Sequence, residues 1–374
     1  MVVSMMRNSQ VIINQQAIFD NVANSRQQLD SKSDLFVVVK ANGYGHGAVQ
    51  VANVAKKAGA TGFCVALIDE AMELRKAGIL EPILVLGITD PQWAPVAAEN
   101  NISLTISSPE WVKQARSSLS VAGCDSKLKI HVALDTGMGR IGFQTPEELQ
   151  AALKVINGSA DQIEFEGIFT HFATADEPDD AYFKQQYDKF NAFMDVVESR
   201  PKYVHVANSA TSLWHKICGG NMIRLGIAAY GLNPSQRAIT ELPYNLEPAL
   251  SLESSLIHVK EVKAGTHIGY GATYEAKQDE WIGTVPIGYA DGIARKLQGF
   301  SVLVNGHQCE IVGRVCMDQI MIRLDRQYNY GTKVVIIGKS GDEQNTAEDL
   351  AEYIDTINYE VICGLQPRLK RVYV

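Results

Sequence analysis

Eight short apolar runs recur through the first two-thirds of the chain, and they constrain its fold more than any other feature. They are Phe36–Ala41, Gly62–Leu67, Pro82–Gly87, Ser103–Ser107, Leu128–Asp135, Glu164–His171, Tyr203–Ser209 and Met222–Gly231. Several are nearly continuous rather than alternating, the pattern of strands covered on both faces. Helical stretches such as AVQVANVAKKAGA and DEAMELRKAGI lie between most of them. In TPEELQAALKVI, Thr145 is placed as N-cap, Pro146 at the first helical position and Glu148 as the closing member of a capping box. Eight strand–helix units in about 200–250 residues specify a (β/α)8 barrel, because a doubly wound sheet holds fewer strands.

After about Leu246 the texture changes. LSLESSLIHVKEV, WIGTVPIGYA, SVLVNGHQCEIVGRVC, QIMIRL and KVVIIG read as strands joined by short turns, Asn305-Gly306 among them. One late helix stands out, TAEDLAEYI, capped by Thr346. The expected architecture is therefore α/β, with an N-terminal (β/α)8 TIM barrel over residues 1–245 and a C-terminal mostly-β domain over residues 246–374. The net charge of −8 comes without any lysine- or arginine-rich block. Nucleic acid is thereby excluded as the main partner, since phosphate backbones need a concentrated basic face. No run of about 18 apolar residues appears, so no membrane span is expected, and MVVSMMRNSQ lacks the form of a secretory leader. Six scattered cysteines, Cys64, Cys124, Cys218, Cys309, Cys316 and Cys363, contain no C-x-x-C pair. Reduced thiols in a cytoplasmic protein, with no metal site, are the expectation.

Catalytic groups of such a barrel sit at the C-terminal ends of the strands. That filter leaves Lys40 after strand one, Arg140 in LDTGMGR after strand five, His171 at the end of strand six, Asn208 and Ser209 after strand seven, and Arg224, Gly226 and Ile227 in strand eight and its exit. FVVVKANGYGHGA also satisfies G-x-G-x-x-A through Gly43, Gly45 and Ala48, with Asp69 further on, as in a dinucleotide loop. That reading fails because Lys40, Ala41 and Asn42 separate the strand from the first glycine. Lys40 by itself fits either a strand-end lysine reaching solvent or a desolvated amine able to form a Schiff base. A lysine imine combined with a phosphate site after strands seven and eight points to pyridoxal 5'-phosphate.

VVVKANGYGHG, LDTGMGRIGF, HFATAD, VANSAT, RLGIAAYG, GYGATY, IGYADG and GRVCMDQIM occur in order over nearly the whole chain, and together they resemble alanine racemase. The resemblance implies a pyridoxal-phosphate isomerase that interconverts L- and D-alanine and supplies D-alanine for cell-wall peptidoglycan. It implies that Lys40 carries the cofactor and serves as one base, with Tyr270 as the other on the opposite face of the substrate. Two flanking acid–base groups are what racemisation requires, because the planar carbanion must be reprotonated from the far side. By the same resemblance, Tyr44, Ser209, Gly226, Ile227 and Tyr359 hold the phosphate, to which Asn208, by its place after strand seven, adds a donor, and Arg224 bonds the pyridine nitrogen and His171, which contacts Tyr270. Arg140 and the backbone of Met317 receive the substrate carboxylate, while Tyr289 and Asp318 line the approach. The family also implies a homodimer in which each active site is completed by the partner's β domain.

One position departs from the pattern. Many members carry a lysine two residues before the aspartate of DTGMGR, and its carbamate orients the substrate arginine; here that position is Ala133. Arg140 is therefore expected to be held by another anion, a bound chloride or a nearby carboxylate. From residues alone, Tyr289 and Tyr359 also fit packing tyrosines, His205 a satisfied structural histidine, His46 a loop residue, Asp135 a loop-orienting cap and Cys316 a packing thiol. The alternatives are a serine or broader-specificity racemase, a same-fold decarboxylase, against which Arg224 and GYGATY argue, and a non-catalytic pyridoxal-phosphate-binding barrel, which would lack the β domain.

Overall fold

The computed structural model describes residues 3–215 and 219–374, so Cys218 lies outside the described residues. The chain divides into two units, one of residues 17–43 and 47–247, the other of residues 1–16, 44–46 and 248–374. The first strand, β1 (Gln10–Ile13), thus joins the C-terminal unit, although the sequence reading began the barrel at residue 1. It pairs antiparallel with Leu250–Ser255 and parallel with Lys370–Tyr373.

The larger unit holds eight parallel strands: β2 (Asp34–Val38), β3 (Gly62–Val65), β4 (Ile83–Ile88), β5 (Ile102–Ile106), β6 (Leu128–Ala133), β7 (Ile163–Phe169), β8 (Tyr203–His205) and β9 (Met222–Leu225). Each anticipated run supplies one strand. They pair in the order β8-β7-β6-β5-β4-β3-β2-β9. A bridge from Ala207 to Ile223 brings β8 against β9 and nearly closes the barrel. Every residue of β3 and β5 is buried, which is why these strands read as continuous apolar runs.

Helices cross between strands where the sequence places them, Ala48–Lys57, Ile68–Lys76 and Pro146–Asn157 among them. Thr145 Oγ accepts the Glu148 N–H as expected of an N-cap, at 3.2 Å. The capping box does not form: the Glu148 carboxylate reaches one residue further back and accepts the Gln144 N–H at 2.8 Å. One more exposed amide is satisfied either way, so the helix start is unchanged.

The smaller unit is mostly β. Its main sheet runs His307–Glu310, Ser301–Val304, Lys333–Ser340, Leu250–Ser255, β1, Lys370–Tyr373, with Glu343–Asn345 added beside Lys333–Ser340. A second sheet pairs Glu280–Val285 with His258–Val262 on one side and Ile320–Leu324 on the other. Asn305 and Gly306 both take positive φ, 48° and 82°, as a two-residue hairpin turn between right-twisted strands requires. Thr346 caps Ala347–Ile354, exchanging hydrogen bonds with Asp349 in a complete capping box. A second late helix, Asn358–Cys363, has no counterpart in the sequence reading; at six residues it is too short to show a period. Among the described residues no helix is long and apolar enough to cross a membrane.

Gly62 of β3 stands opposite Phe36 of β2, and a Cβ there would lie 2.5 Å from the buried Phe36 ring. Gly62→Ala should destabilise the barrel by about 1–3 kcal/mol through overpacking. Urea unfolding should show a lowered midpoint, and an unchanged midpoint would mean that Phe36 can move aside at no cost.

Candidate functional site

Lys40 follows β2 by two residues, at the C-terminal end of the barrel strands, and is partly buried. The chain after it does not continue into an ordinary helix. Ala41, Asn42 and Gly43 all adopt left-handed angles, with φ of 52°, 54° and 60°. A left-handed turn costs non-glycine residues about 1–2 kcal/mol each, so it persists only where neighbours fix it. The Glu70 carboxylate does so by accepting the Ala41 N–H at 2.6 Å while also taking the N–H groups of Ala66 and Leu67. Asn42 Oδ1 accepts the Ala48 N–H at 3.1 Å and ties the turn to the next helix. The sequence reading passed over Glu70, whose surface position on a helix gave no signal.

Arg224 on β9 is the hub of the barrel's polar interior and is only 3% exposed. Its Nη1 donates to His205 Nδ1 at 2.6 Å and to the His205 carbonyl at 2.9 Å. Its Nη2 donates to the Thr170 carbonyl at 2.9 Å and to His171 Nδ1 at 3.3 Å. The Nε–H makes no hydrogen bond to a described residue, so this buried cation keeps one donor for a further acceptor. Burial brings the guanidinium down to about 10, which leaves it charged at neutrality. The nearby Cys64 thiol is pushed up to about 12 by burial, which makes it an inert packing group.

His171 ends the run of β7. Burial first, then the charges of Arg224, Arg140 and Lys40, bring its imidazole down to about 3, so it is neutral. Arginine cannot accept, so His171 Nδ1 is the acceptor and Nε2 carries the proton. The ring therefore presents an N–H away from Arg224.

Ser209 and the exit of β9 form a small cradle. Ser209 Oγ accepts the Gly226 N–H at 2.8 Å and the Ala228 N–H at 3.4 Å, and its own hydroxyl donates to no described residue. Ile227 begins the 3-10 turn Ile227–Tyr230 and is fully buried. Asn208 Oδ1 is occupied by Thr211, whose N–H it accepts at 2.9 Å, so Asn208 shapes this loop. The leftover hydroxyl suits an acceptor-only ligand such as a phosphate.

Arg140 is exposed, and among the described residues no carboxylate forms an ion pair with it. The expectation of a carboxylate partner is thus corrected. Asp135, the obvious candidate, is spent on its own loop: its Oδ1 accepts the N–H groups of Gly137 at 3.0 Å and Gly139 at 2.9 Å. Gly142 has to be glycine here, since a Cβ would lie 2.4 Å from the Asp135 nitrogen. Ala133 is buried and holds the far end of the loop through its carbonyl, which accepts the Phe143 N–H at 3.0 Å.

The remaining residues belong to the smaller unit. Tyr44 is buried and its ring lies 6.2 Å from that of Tyr359, on the helix Asn358–Cys363. Tyr289, Met317 and Asp318 are brought together by backbone bonds, Tyr289 N–H to the Cys316 carbonyl and Ala290 N–H to the Met317 carbonyl, each 3.0 Å. Asp318 accepts from Arg368 at 2.8 Å. Tyr270 opens a one-turn 3-10 helix and is 69% exposed. His46 lies in the turn beside the glycines, as the sequence suggested, and is fully buried, with Nδ1 2.9 Å from the Tyr44 carbonyl.

A family model described as "Alanine racemase, N-terminal domain" matches residues 13–234, and one described as "Alanine racemase, C-terminal domain" matches residues 249–373. The chain is 57% identical over 373 residues to an alanine racemase of Levilactobacillus brevis, covering 100% of both chains. It superposes on the crystal structure of alanine racemase from E. faecalis with a TM-score of 0.97 at 52% identity, covering 100% of each. A histidine racemase from Leuconostoc mesenteroides subsp. sake is also similar, at 36% identity with a TM-score of 0.93 and 100% coverage of each chain.

The depressed histidines make acid stability testable. His171, His131 and His205 all lie below the ordinary imidazole value, chiefly through burial. Their folded-state values fall below the unfolded ones, so the unfolded chain binds protons that the native state refuses. The stability they contribute is complete above about pH 6.5 and is lost as pH falls toward about 3 for His171. Urea unfolding measured from neutral to mildly acid pH should weaken steadily, and His171→Asn should flatten that dependence. An identical slope in the variant would remove His171 from the account.

Proposed function

This chain belongs to the alanine racemase family, and on that premise we propose that it interconverts L- and D-alanine with Lys40 and Tyr270 as the two bases. The family depends on pyridoxal 5'-phosphate, which when bound supplies the electron sink that acidifies the substrate α-proton. The residues present suit that group. Lys40 offers the amine that would hold it, the Ser209 hydroxyl, which Gly226 holds in place through its N–H, and the amide of Ile227 offer donors for its phosphate, with Tyr44 and Tyr359 as further ligands. The single observation that carries the reading is the leftover Arg224 Nε–H, a permanent donor suited to a ring nitrogen that accepts.

Each residue then has a defined task. Lys40 takes or returns the α-proton on one face, and Tyr270 on the other. Arg140 receives the substrate carboxylate in its two-pronged fork, backed by the Met317 amide; with no carboxylate partner among the described residues, a bound anion such as chloride fits as its support. Arg224 keeps its own proton, which leaves the ring nitrogen unprotonated. His171 offers its Nε2–H to the Tyr270 oxygen and so favours the phenolate. Tyr289 and Asp318 line the approach.

Tyr270, Tyr289 and Met317 are 69%, 43% and 53% exposed on the smaller unit. Exposed apolar groups of this size support contact with another surface, and we assign them to a second copy of the chain, whose barrel they complete. The product, D-alanine, suits cell-wall peptidoglycan synthesis in the cytoplasm.

The test is purified enzyme with L-alanine in deuterated water, followed by chiral chromatography and mass spectrometry. D-alanine carrying deuterium at the α-carbon is expected, and carbon dioxide release would instead indicate a decarboxylase. L-serine and L-histidine belong in the same panel, given the similar histidine racemase. Tyr270→Phe should slow proton abstraction from L-alanine by about 10²–10⁴-fold while cofactor content stays constant. Unchanged rates in both directions would refute its role. A monomeric variant should keep cofactor and lose racemisation.

A further inference from the structure

Behind Arg224, on the side away from its free Nε–H, lies a line of buried polar groups that the reaction above does not use. His205 on β8 touches His131 on β6, Nε2 to Nδ1, at 2.8 Å. His131 Nε2 lies 3.2 Å from Glu166 Oε2 on β7, and Ser103 on β5 donates its hydroxyl to the same oxygen at 2.5 Å. His131 and His205 are fully buried, and Glu166 and Ser103 are each 3% exposed.

The polarity of this line is fixed at its ends. Arg224 can only donate, so His205 Nδ1 must accept. Neutral His205 then carries its proton on Nε2 and donates to His131 Nδ1. Neutral His131 in turn carries its proton on Nε2 and donates to Glu166. Glu166 accepts from both sides. Burial alone would raise its carboxyl, but the bonds from His131 and Ser103, with Lys129 at 3.6 Å, hold it down to about 2. Burial keeps both imidazoles from charging. Reversing either ring would set two donors or two acceptors face to face.

The backbone is built to admit this arrangement. Pairing of β6 with β7 steps from Ile130 opposite Phe165 to His131 opposite Gly167, so Glu166 is the extra residue of a bulge. A bulge re-aims a side chain, and here it delivers a carboxylate to the barrel interior. Gly167 supplies the room: a Cβ there would lie 2.3 Å from His131 Nδ1. The rings are also pinned sideways. Phe169 stacks on His205 at 4.8 Å and 11°, and Tyr203 stacks on His131 at 5.7 Å. A cation, two imidazoles in one tautomer each and an anion thus come from four neighbouring strands.

We propose that Glu166, His131 and His205 are positioning residues, a one-way hydrogen-bond chain that serves as the remote counter-ion of Arg224 and fixes the direction of its free Nε–H. The chain holds the guanidinium in one orientation and keeps it a firmly charged, reluctant proton donor. Part of this rests on the racemase reading, because the ring nitrogen that the Nε–H would meet belongs to the cofactor. The tautomers do not.

The first test is therefore direct. Solution NMR of the holoenzyme labelled with 15N-histidine should show His131 and His205 protonated at Nε2 and bare at Nδ1, without titration from about pH 5 to 8. A proton on Nδ1 of either ring, or titration in that interval, overturns the chain. The second test compares Glu166→Gln, which keeps an acceptor but removes the charge, with His205→Asn, which keeps an acceptor for Arg224 but breaks the link to His131. Each should lower kcat about tenfold, equivalent to one pKa unit at the guanidinium, with KM nearly unchanged and a shifted visible band of the bound cofactor. The double variant should be no worse than either single one. Full kcat in Glu166→Gln, or losses that multiply as for independent sites, would overturn the proposal. If the variants do not fold, the tautomers of the unmodified protein decide. Failure of the unmodified enzyme to racemise alanine would instead defeat the functional reading and leave the tautomer test intact.

Discussion

Pairing of β2 with β9 is the constraint on which the rest of the barrel unit depends. It sets Phe36 beside Arg224 and Val37 beside Leu225, joining the first barrel strand to the last. Lys40, two residues past the end of β2, and the Ser209–Gly226 cradle past β8 and β9 therefore open at the same end of the barrel. Parallel strands need crossovers on the outside, so the loops at this end are free to carry chemistry while the helices cover the wall. The buried faces of β3 and β5 supply the apolar packing that makes the frame rigid.

Within that frame, a guanidinium in the core governs the polar groups around it. A buried charge is tolerated only when its donors are met. Arg224 meets this demand with two backbone carbonyls at 2.9 Å, a third at 3.4 Å and two imidazole nitrogens, and its Nε–H is the one donor with no described acceptor. Its two histidine partners have different fates. His205 is drawn into the interior toward Glu166, and His171 is turned outward with its remaining N–H. One cation thereby dictates the tautomers of both rings.

Carboxylates play a different part from the one a search for acids and bases suggests. Glu70 stabilises a left-handed turn after Lys40, Asp135 shapes the loop that bears Arg140, and Asp291 is clamped by Arg7 beneath the Tyr289–Met317 turns. None offers a free oxygen pair to a substrate. All three use charge-assisted bonds to hold irregular backbone, which is where strain accumulates at functional sites. The charges of Arg224, Arg140 and Lys40 all bear on His171 at this end of the barrel.

Much was legible in the residues themselves. Eight apolar runs, the lysine that ends the first, the caps at Thr145 and Thr346 and the Asn305-Gly306 turn all report local preferences, and local preferences survive in any fold that contains them. The family resemblance rested on whole motifs in order, so it survived boundary errors such as the missing capping box at Glu148. What the tertiary structure alone decided were the partnerships. Whether Asp135 faces Arg140 or its own loop, which Arg224 donor stays free, and that a bulge swings Glu166 toward His131 all depend on groups from different strands meeting in space. Sequence periodicity assigns a face to each residue but not a neighbour. Hydrogen bonds between strands far apart in the chain are fixed only when closure of the barrel sets the register.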